Sequence, residues 1–347
     1  MAALALLAVS CSGSGSAPAD GADRRAAEEA SSGTAGRSGE SPEGDEPQAP
    51  DPARVGANEL GAVPVLMYHQ LIDDPSSVYD RTPEEFRAEL ERLAGENYVP
   101  VTAGDYSRGM IDIPAGTHPV VLTFDDSTNS QLALGPDGEP TPESAVGILL
   151  DVAAEHPRFR PTATFFVNDD PFSGTGAAEA LGWLAANGFE IGNHTLGHAN
   201  LARSSEAETQ RELAANQRAI QKHVPGAEVV SLALPFGIMP EPAGLAVSGS
   251  DDGVSYEHAG VYLVGANPAP SPFADSFDAA AIPRIRSAGA DDQDAEFGSA
   301  SWLDRLADGT VTRYTSDGDP ETVSYPEQDA GLLAPAHRDR ARPYPAG

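Results

Sequence analysis

The stretch Val120-Val121-Leu122-Thr123-Phe124-Asp125-Asp126 decides the fold class of this chain. Its first five residues are apolar or β-branched, as is typical of a buried strand, and two carboxylates follow directly where that strand ends. The same pattern of a short apolar run returns at residues 162–167 (TATFFV), after a stretch with helical periodicity. Buried strands that alternate with helices indicate an α/β fold with parallel strands.

Working outward from this strand extends the alternation over most of the chain. The box Thr82-Pro83-Glu84-Glu85 and the run Thr141-Pro142-Glu143 each predict the start of a helix. Six or seven strand and helix repeats without a glycine-rich phosphate loop favour a (β/α) barrel over a doubly wound sheet. Strands are predicted over residues 63–69, 120–124, 162–167, 189–192, 229–234, 261–266 and 282–285, and helices over residues 82–93, 141–155, 177–187 and 206–223.

The charge of the chain excludes one class of partner. The 347 residues include 21 Lys and Arg against 53 Asp and Glu, a net charge of −32. Nucleic acid is excluded because binding a phosphate backbone requires basic patches, and anionic membrane surfaces are disfavoured for the same reason. Residues 12–57 hold nine acidic and four basic residues, so most of the acidity, −27, lies elsewhere.

The amino-terminal residues predict a cellular location and a tether. An apolar run over residues 1–9 ends at Cys11, the only cysteine, in a pattern that resembles the lipobox of a bacterial lipoprotein; an incidental cysteine is the alternative. We expect a signal peptide over 1–11, a disordered tether over 12–57, a catalytic domain over 58–316 and a surface segment over 317–347. The expected location is the outer face of the cell membrane, with membrane contact only through a lipid on Cys11.

Three predicted strand ends carry side chains suited to chemistry. Asp125 and Asp126 end one strand, His194 and His198 follow another, and Leu234-Pro235-Phe236-Gly237 ends a third. Two histidines four residues apart and a carboxylate can form a facial three-ligand metal site, and a second carboxylate can accept a proton. Taken alone, each pair is more simply a solvated turn or a pair of surface histidines. Their joint occurrence at strand ends favours the metal site.

The motifs Thr123-Phe124-Asp125-Asp126 and His194-Thr195-Leu196-Gly197-His198 resemble those of the NodB-type polysaccharide deacetylases, carbohydrate esterase family 4. The resemblance implies a deformed (β/α) barrel and hydrolysis of the acetamide of an N-acetylated polysaccharide. It implies that Asp126, His194 and His198 hold a divalent metal, usually zinc. It also implies that Asp125 is the general base for the attacking water and that the N–H of Phe236 binds the oxyanion.

The chain departs from the family pattern at two places. Ala233 stands where the third motif has the arginine that orients the general base, and Arg284 is either its replacement or a structural salt bridge at the barrel rim. No late motif supplies the usual general-acid histidine. His69, at the end of the first predicted strand, is the better candidate for a pocket role, with a buried structural histidine as its alternative. His258 precedes its strand and therefore lies at the wrong end.

Two other functions stay open at this stage. The metal site is also compatible with an amidase or esterase acting on another substrate, because neither fold nor metal fixes the acyl acceptor. Ala233 and the missing distal histidine are compatible with a glycan-binding lipoprotein that has lost turnover. Among glycans, an acidic domain favours a neutral N-acetylated polymer over an anionic one. The oligomeric state is not predicted.

Overall fold

The computed structural model describes residues 50–345, so the predicted signal peptide, Cys11 and the tether up to residue 49 lie outside the described residues. Within residues 50–345, no helix is long and apolar enough to span a membrane. The strands are β1 Val65–Tyr68, β2 Tyr98–Val101, β3 His118–Asp125, β4 Thr164–Val167, β5 Glu190–Asn193, β6 Ser231–Ala233, β7 Ser248–Asp251, β8 Val254–Glu257, β9 Gly260–Tyr262, β10 Ile285–Arg286, β11 Val323–Pro326 and β12 Ala341–Tyr344. The α-helices are α1 Pro52–Val55, α2 Pro83–Gly95, α3 Ala103–Ser107, α4 Ala145–Glu155, α5 Ala177–Ala186, α6 Glu206–His223 and α7 Ser299–Ala307.

The central sheet is parallel and closes on itself. Its strand order is β10-β1-β3-β4-β5-β6-β9, and β2 pairs with the first half of β3. Ile282 forms a parallel bridge with Tyr262 at the end of β9, while β10 pairs with β1. Residues 282–286 therefore join the two edges and complete a deformed barrel, which confirms the predicted fold class, although the last strand is Ile285–Arg286 and not residues 282–285 as predicted.

Alternation along β3 places the aspartates at the mouth of the barrel. Leu122 and Phe124 belong to the outer apolar cluster, which also contains Phe86 of α2 and Leu149 of α4. Val121 belongs to a second cluster on the other face, where the neighbouring strands meet. Because successive strand residues point to opposite faces, Asp125 shares the inner face with Val121. A buried carboxylate is thereby placed at the carboxyl end of a central strand, the end where barrel sites form.

One helix begins later than its sequence predicts. The run Thr141-Pro142-Glu143 predicts a start at residue 141, but α4 begins at Ala145 with Ser144 as its N-cap. The Ser144 hydroxyl accepts from the N–H of Gly147 at 3.1 Å and donates to the carbonyl of Thr141 at 2.7 Å. Residues 141–144 therefore form a turn, because their polar groups bond to one another ahead of the helix.

The predicted domain limits are corrected at both ends. Residues 50–57 were assigned to the tether, but they contain α1, and Ala57 is fully buried. The segment 317–347 was expected to trail over the surface, yet β11 and β12 pair in parallel and bury Val323 and Tyr325. Both segments contain few large apolar side chains, so their composition does not predict an ordered structure. They are held by small residues, by a few buried side chains such as Val323 and Tyr325, and by hydrogen bonds.

Glu59 joins these two ends of the domain. Its carboxylate, in a residue only 2% exposed, accepts from the hydroxyl of Tyr314 at 3.0 Å and from the N–H of Ser324 at 2.7 Å. Burial, with a smaller contribution from Asp317, raises the pKa of Glu59 to about 8. The amino-terminal and carboxyl-terminal segments thus share one buried acid.

Candidate active site

Asp126, His194 and His198 converge on one point at the barrel mouth. The Nε2 atoms of both histidines lie 3.4 Å from Oδ1 of Asp126, and one ligand atom from each residue lies within 4.8 Å of the others. Asp126 follows β3 and the two histidines follow β5, so the three side chains come from nearby parallel strands. The structure brings together the three residues predicted as metal ligands.

The surroundings of His194 fit a metal ligand. Its Nδ1 lies 2.9 Å from the carbonyl oxygen of Ala233, so Nδ1 carries the proton and Nε2 has a free lone pair. That Nε2 atom is buried and has no hydrogen-bond partner. A buried nitrogen of this kind is costly unless something binds it, and a divalent cation held by one carboxylate and two imidazoles satisfies it.

The backbone around this cluster is held in an uncommon conformation. Positive φ angles occur at Asp126 (72°) and Ser127 (48°), at Thr195 (61°) and His198 (51°), and at Phe236 (60°). None of these residues is glycine, so each carries a cost of about 1 kcal/mol or more that the surrounding structure must offset. Such strain collects at functional sites, because it aims side chains in directions that regular structure does not allow.

Asp125 is paired with Arg284 inside the barrel. Nη1 and Nη2 of Arg284 donate to Oδ1 and Oδ2 of Asp125, both at 2.7 Å, and the two residues are 0% and 2% exposed. Nε of Arg284 donates to the carbonyl of Leu263 at 2.8 Å, which fixes the guanidinium plane. Of the two sequence interpretations of Arg284, a rim salt bridge and a partner of Asp125, the geometry favours the second. Arg284, the residue just before β10, thus pairs with Asp125, while the motif position is occupied by Ala233.

Charges in the site keep Asp125 ionised. Burial by itself would raise the pKa of Asp125, but the Arg284 guanidinium and the neighbouring His194 hold that pKa well below its usual range. His194 is fully buried, yet Asp125 and Asp126 together raise its pKa. The site therefore contains a carboxylate that stays charged and is able to accept a proton.

His69 lies close to the carboxylate of Asp125. Its Nε2 is 3.9 Å from Oδ2 of Asp125, and its ring centroid is 4.9 Å from that of Tyr79. Burial lowers the pKa of His69, although the nearby carboxylates oppose this shift. The structure thus places the predicted pocket histidine beside the predicted base, whereas His258 is buried elsewhere, with Nδ1 2.7 Å from the carbonyl of Ala246.

Two features of the site lie beyond the sequence predictions. The side-chain amide of Gln131 donates to the backbone carbonyls of Asp125 at 2.5 Å and His69 at 2.7 Å, which joins the first and third strands at the mouth. No pattern in the sequence marks this glutamine. The side chain of Phe236 is 57% exposed, and its ring centroid lies 4.8 Å from that of His198. The role of its N–H as an oxyanion donor stays a prediction.

Part of this chain is similar to a known protein family and to curated proteins. The profile described as "Polysaccharide deacetylase" matches residues 112–248. Over 139 residues the chain is 34% identical to a chitooligosaccharide deacetylase of Sinorhizobium fredii strain NGR234, an alignment that covers 39% of this chain and 54% of the relative. A chitooligosaccharide deacetylase of Bradyrhizobium sp. strain ANU 289 is 36% identical over 127 residues, 36% of this chain and 48% of the relative. The chain therefore spans about half the length of these relatives.

A solved structure supports the fold. The Streptococcus pyogenes deacetylase PplD, solved in complex with acetate, superposes with a TM-score of 0.50 at 18% identity, over 65% of this chain and 92% of that one. At this identity the likeness bears on the architecture alone. The aligned segment of the profile holds the three converging ligands, whereas His69 and Arg284 lie outside it.

Proposed function

We propose that the chain is a metal-dependent hydrolase that removes acetyl groups from N-acetylated glycans, and the similarity of residues 112–248 to the polysaccharide deacetylase profile supports this proposal. The observation that carries this proposal is the Asp125–Arg284 pair beside the three metal-ligand candidates. A protein that only bound glycans would have no use for a charged, oriented proton acceptor next to the ion. This pairing favours turnover over the glycan-binding alternative.

Asp126, His194 and His198 are the residues that would hold the ion. A divalent cation there, zinc being the usual choice for one carboxylate and two imidazoles, supplies a Lewis acid for the acyl carbonyl. The protein's own part is to aim the ligands, as the hydrogen bond that Nδ1 of His194 donates to the carbonyl of Ala233 does by directing Nε2 toward Asp126 and His198.

Asp125 acts first in the proposed reaction. Its carboxylate, fixed by two hydrogen bonds from Arg284, takes a proton from the attacking water as the oxygen bonds to the acetamide carbon. Negative charge develops on the former carbonyl oxygen, and the N–H of Phe236 is our proposed donor to it. The exposed turn at Phe236 borders the site next to His198.

His69 completes the proposed proton transfers. Collapse of the tetrahedral species breaks the carbon–nitrogen bond, and the departing nitrogen must gain a proton to leave as an amine. His69 stands 3.9 Å from Asp125 and is the histidine next to the base that has no part in the ligand cluster. We assign His69 the relay of that proton: it takes from Asp125 the proton that came from the water and passes it to the nitrogen, which regenerates the carboxylate and leaves acetic acid, ionised to acetate, and a glycan amine.

Acetate release tests the activity. The full chain is assayed with N-acetylglucosamine oligomers and with peptidoglycan, and Asp125→Asn is expected to lower kcat by about 10²- to 10⁴-fold while leaving bound zinc unchanged. Asp151→Asn, an exposed aspartate on α4, is the matched control. Undiminished acetate release by Asp125→Asn would contradict the mechanism, and no acetate from any glycan would favour another amide or ester substrate.

Metal analysis of two histidine variants tests the ion site. His194→Ala is expected to lose the metal, whereas His258→Ala is expected to keep it. The control is close, because both histidines are buried, both place Nδ1 on a backbone carbonyl and both have an unpartnered Nε2. Equal metal content in the two variants would count against the assigned ligands.

We also propose that a lipid on Cys11 anchors the protein at the outer face of the membrane. Its support is the apolar run before a lone cysteine and the small polar residues after it. Cys11→Ser should shift the protein from the membrane fraction to the soluble fraction. Unchanged fractionation would remove the anchor from the proposal without affecting the enzymatic part.

A further inference from the structure

The side chain of Gln131 connects two backbone segments at the candidate active site. Gln131 is completely buried, and its Nε2 donates to the carbonyl oxygens of Asp125 at 2.5 Å and His69 at 2.7 Å. A primary amide carries two hydrogens on one nitrogen, so one side chain can satisfy two acceptors at once. Because both partners are carbonyl oxygens, the amide nitrogen must face them, and Oε1 points away without a partner among the described residues.

This contact begins where the pairing of two strands ends. The last residues paired between β1 and β3 are Tyr68 and Phe124. His69 and Asp125 are the next residues along each chain segment. The amide of Gln131 therefore continues the contact between β1 and β3 by one residue on each side, at the point where the site begins.

Gln131 is itself held in place by the backbone around it. Its carbonyl accepts from the N–H of Val146 in α4 at 3.1 Å, and its N–H donates to the carbonyl of Thr128 at 3.1 Å. The hydroxyl of the preceding Ser130 accepts from the N–H of Leu71 at 3.0 Å. The segment 128–131 is therefore bound both to α4 and to the loop after β1, so the amide is a fixed point.

The two residues that Gln131 joins are held to different degrees. The carboxylate of Asp125 is fixed by the guanidinium of Arg284, which donates to both of its oxygens. The ring of His69 has no such bond: its Nδ1 is buried without a hydrogen-bond partner among the described residues, and its Nε2 lies 3.9 Å from Oδ2 of Asp125. That separation is longer than a hydrogen bond, so the placement of the ring depends on its backbone and on packing against Tyr79.

We propose that Gln131 is a positioning residue that holds His69 at the distance from Asp125 at which a proton can pass between them. This inference rests on the proposed function, in which His69 takes the proton from Asp125, and adds a buried residue that acts only through its neighbours. Proton transfer requires the two side chains to close from 3.9 Å to hydrogen-bond distance, a small movement that a fixed backbone allows and a displaced one prevents. A misplacement of about 1 Å costs about 10²-fold in rate.

A double-mutant cycle with Gln131→Met and His69→Ala tests this role. Methionine keeps the length of glutamine but donates no hydrogen bond, so kcat for acetate release from N-acetylglucosamine oligomers is expected to fall about 10- to 100-fold, with KM and bound zinc nearly unchanged. In the His69→Ala background the same substitution should lower kcat by less than about twofold, because no imidazole is left to position. A loss that came only from a weakened fold would appear in both backgrounds.

Gln217→Met is the matched control. Gln217 of α6 is also buried, its Nε2 donates to the carbonyl of Ser255 at 2.7 Å, and its Oε1 likewise has no partner within the described part of the chain. The control should lower the melting temperature, as Gln131→Met does, while leaving kcat unchanged. If Gln131→Met does not fold, Gln131→Asn takes its place in the cycle, because its amide is one carbon too short to reach both carbonyls.

The outcomes separate this inference from the proposed function. If wild type releases acetate, an unchanged kcat in Gln131→Met or in His69→Ala, or equal losses in both backgrounds, would overturn the positioning role and leave the deacetylase activity intact. If wild type releases no acetate, the proposed function fails, and crystal structures of wild type and Gln131→Met then decide the positioning role. A shift of His69 relative to Asp125 by more than about 0.5 Å would support it, and an unchanged separation would overturn it.

Discussion

Arg284 pairs with Asp125 although it lies far along the chain from the third motif. The guanidinium reaches Asp125 from the residue just before β10, whereas the motif position at which we expected an arginine is Ala233, whose carbonyl accepts from Nδ1 of His194. The two residues are far apart in sequence and meet because residues 282–286 close the barrel. A planar guanidinium that donates to both oxygens of a carboxylate constrains distance and angle, so Arg284 orients the carboxylate of Asp125 and also keeps it ionised.

Replacement of this arginine by lysine should show in the pH profile. Arg284→Lys keeps a cation but loses the paired hydrogen bonds, so the pKa of Asp125 rises and the acidic limb of kcat/KM moves to higher pH. We expect kcat/KM at neutral pH to fall about 10- to 100-fold. In Arg286→Lys, which removes a guanidinium bound only to the carbonyls of Val78 and Gln293, the limb should stay in place. An unmoved limb in Arg284→Lys would refute the orienting role.

At the scale of elements, capping chemistry sets where helices begin. The predicted box at Thr82 is present in full, with the Thr82 hydroxyl accepting from Glu85 N–H at 3.1 Å and the Glu85 carboxylate accepting from Thr82 N–H at 2.9 Å. For α4 the threonine and the serine compete, and Ser144 caps the helix. Sequence alone does not separate them, because Thr141 and Ser144 both precede a helical pattern and only the packed turn selects one.

Two alanine variants distinguish these candidate caps. Ser144→Ala is expected to lower the free energy of unfolding by about 1 kcal/mol, since the N–H of Gly147 loses its acceptor. Thr141→Ala should change it by no more than a few tenths of that, because only the backbone carbonyl of Thr141 takes part in the turn. Urea unfolding measures both, and the reverse ranking would show that the helix starts at residue 141.

The same limit applies to the strands and the site. The strands with apolar runs were predictable, and so was the convergence of Asp126, His194 and His198 near Asp125, because strand ends meet at one edge of a parallel sheet. Two strands show what the sequence pattern does not reveal. It does not predict β2, and β6 covers only part of the predicted residues 229–234. Gln131 and Tyr79 could not be found either, because their positions follow from loops whose paths depend on contacts with distant residues such as Arg286.

At the scale of the whole molecule, the first and last segments of the domain contact each other. The chain near Glu59 and the segment carrying Ser324 meet through one buried carboxyl group, and β11 pairs with β12 beside them. The pKa of this group, about 8, lies above its ordinary value of 4.5, so the folded protein holds a proton that the unfolded chain releases between these values. Stability from this group is therefore full below pH 4.5 and is lost as pH rises toward 8.

Unfolding at several pH values tests the buried acid. Between pH 5 and 8 the free energy of unfolding should fall by roughly 1 kcal/mol per pH unit, and Glu59→Gln should flatten this dependence because an amide does not titrate. Glu321→Gln, an exposed acid in the same carboxyl-terminal segment, should leave the slope unchanged. The same slope in Glu59→Gln and wild type would assign the pH dependence to other groups.

The closing strand has a consequence for how this protein is divided. Residues 112–248, the part that the family profile matches, contain the three metal-ligand candidates and Asp125, whereas His69 and Tyr79 precede this segment and Arg284 follows it. A protein trimmed to that segment would lose β1 and β2, which pair with β3, and would leave Asp125 without the guanidinium of Arg284. A match over residues 112–248 therefore covers the metal-ligand candidates of this chain but neither the cation nor the histidine that flank Asp125.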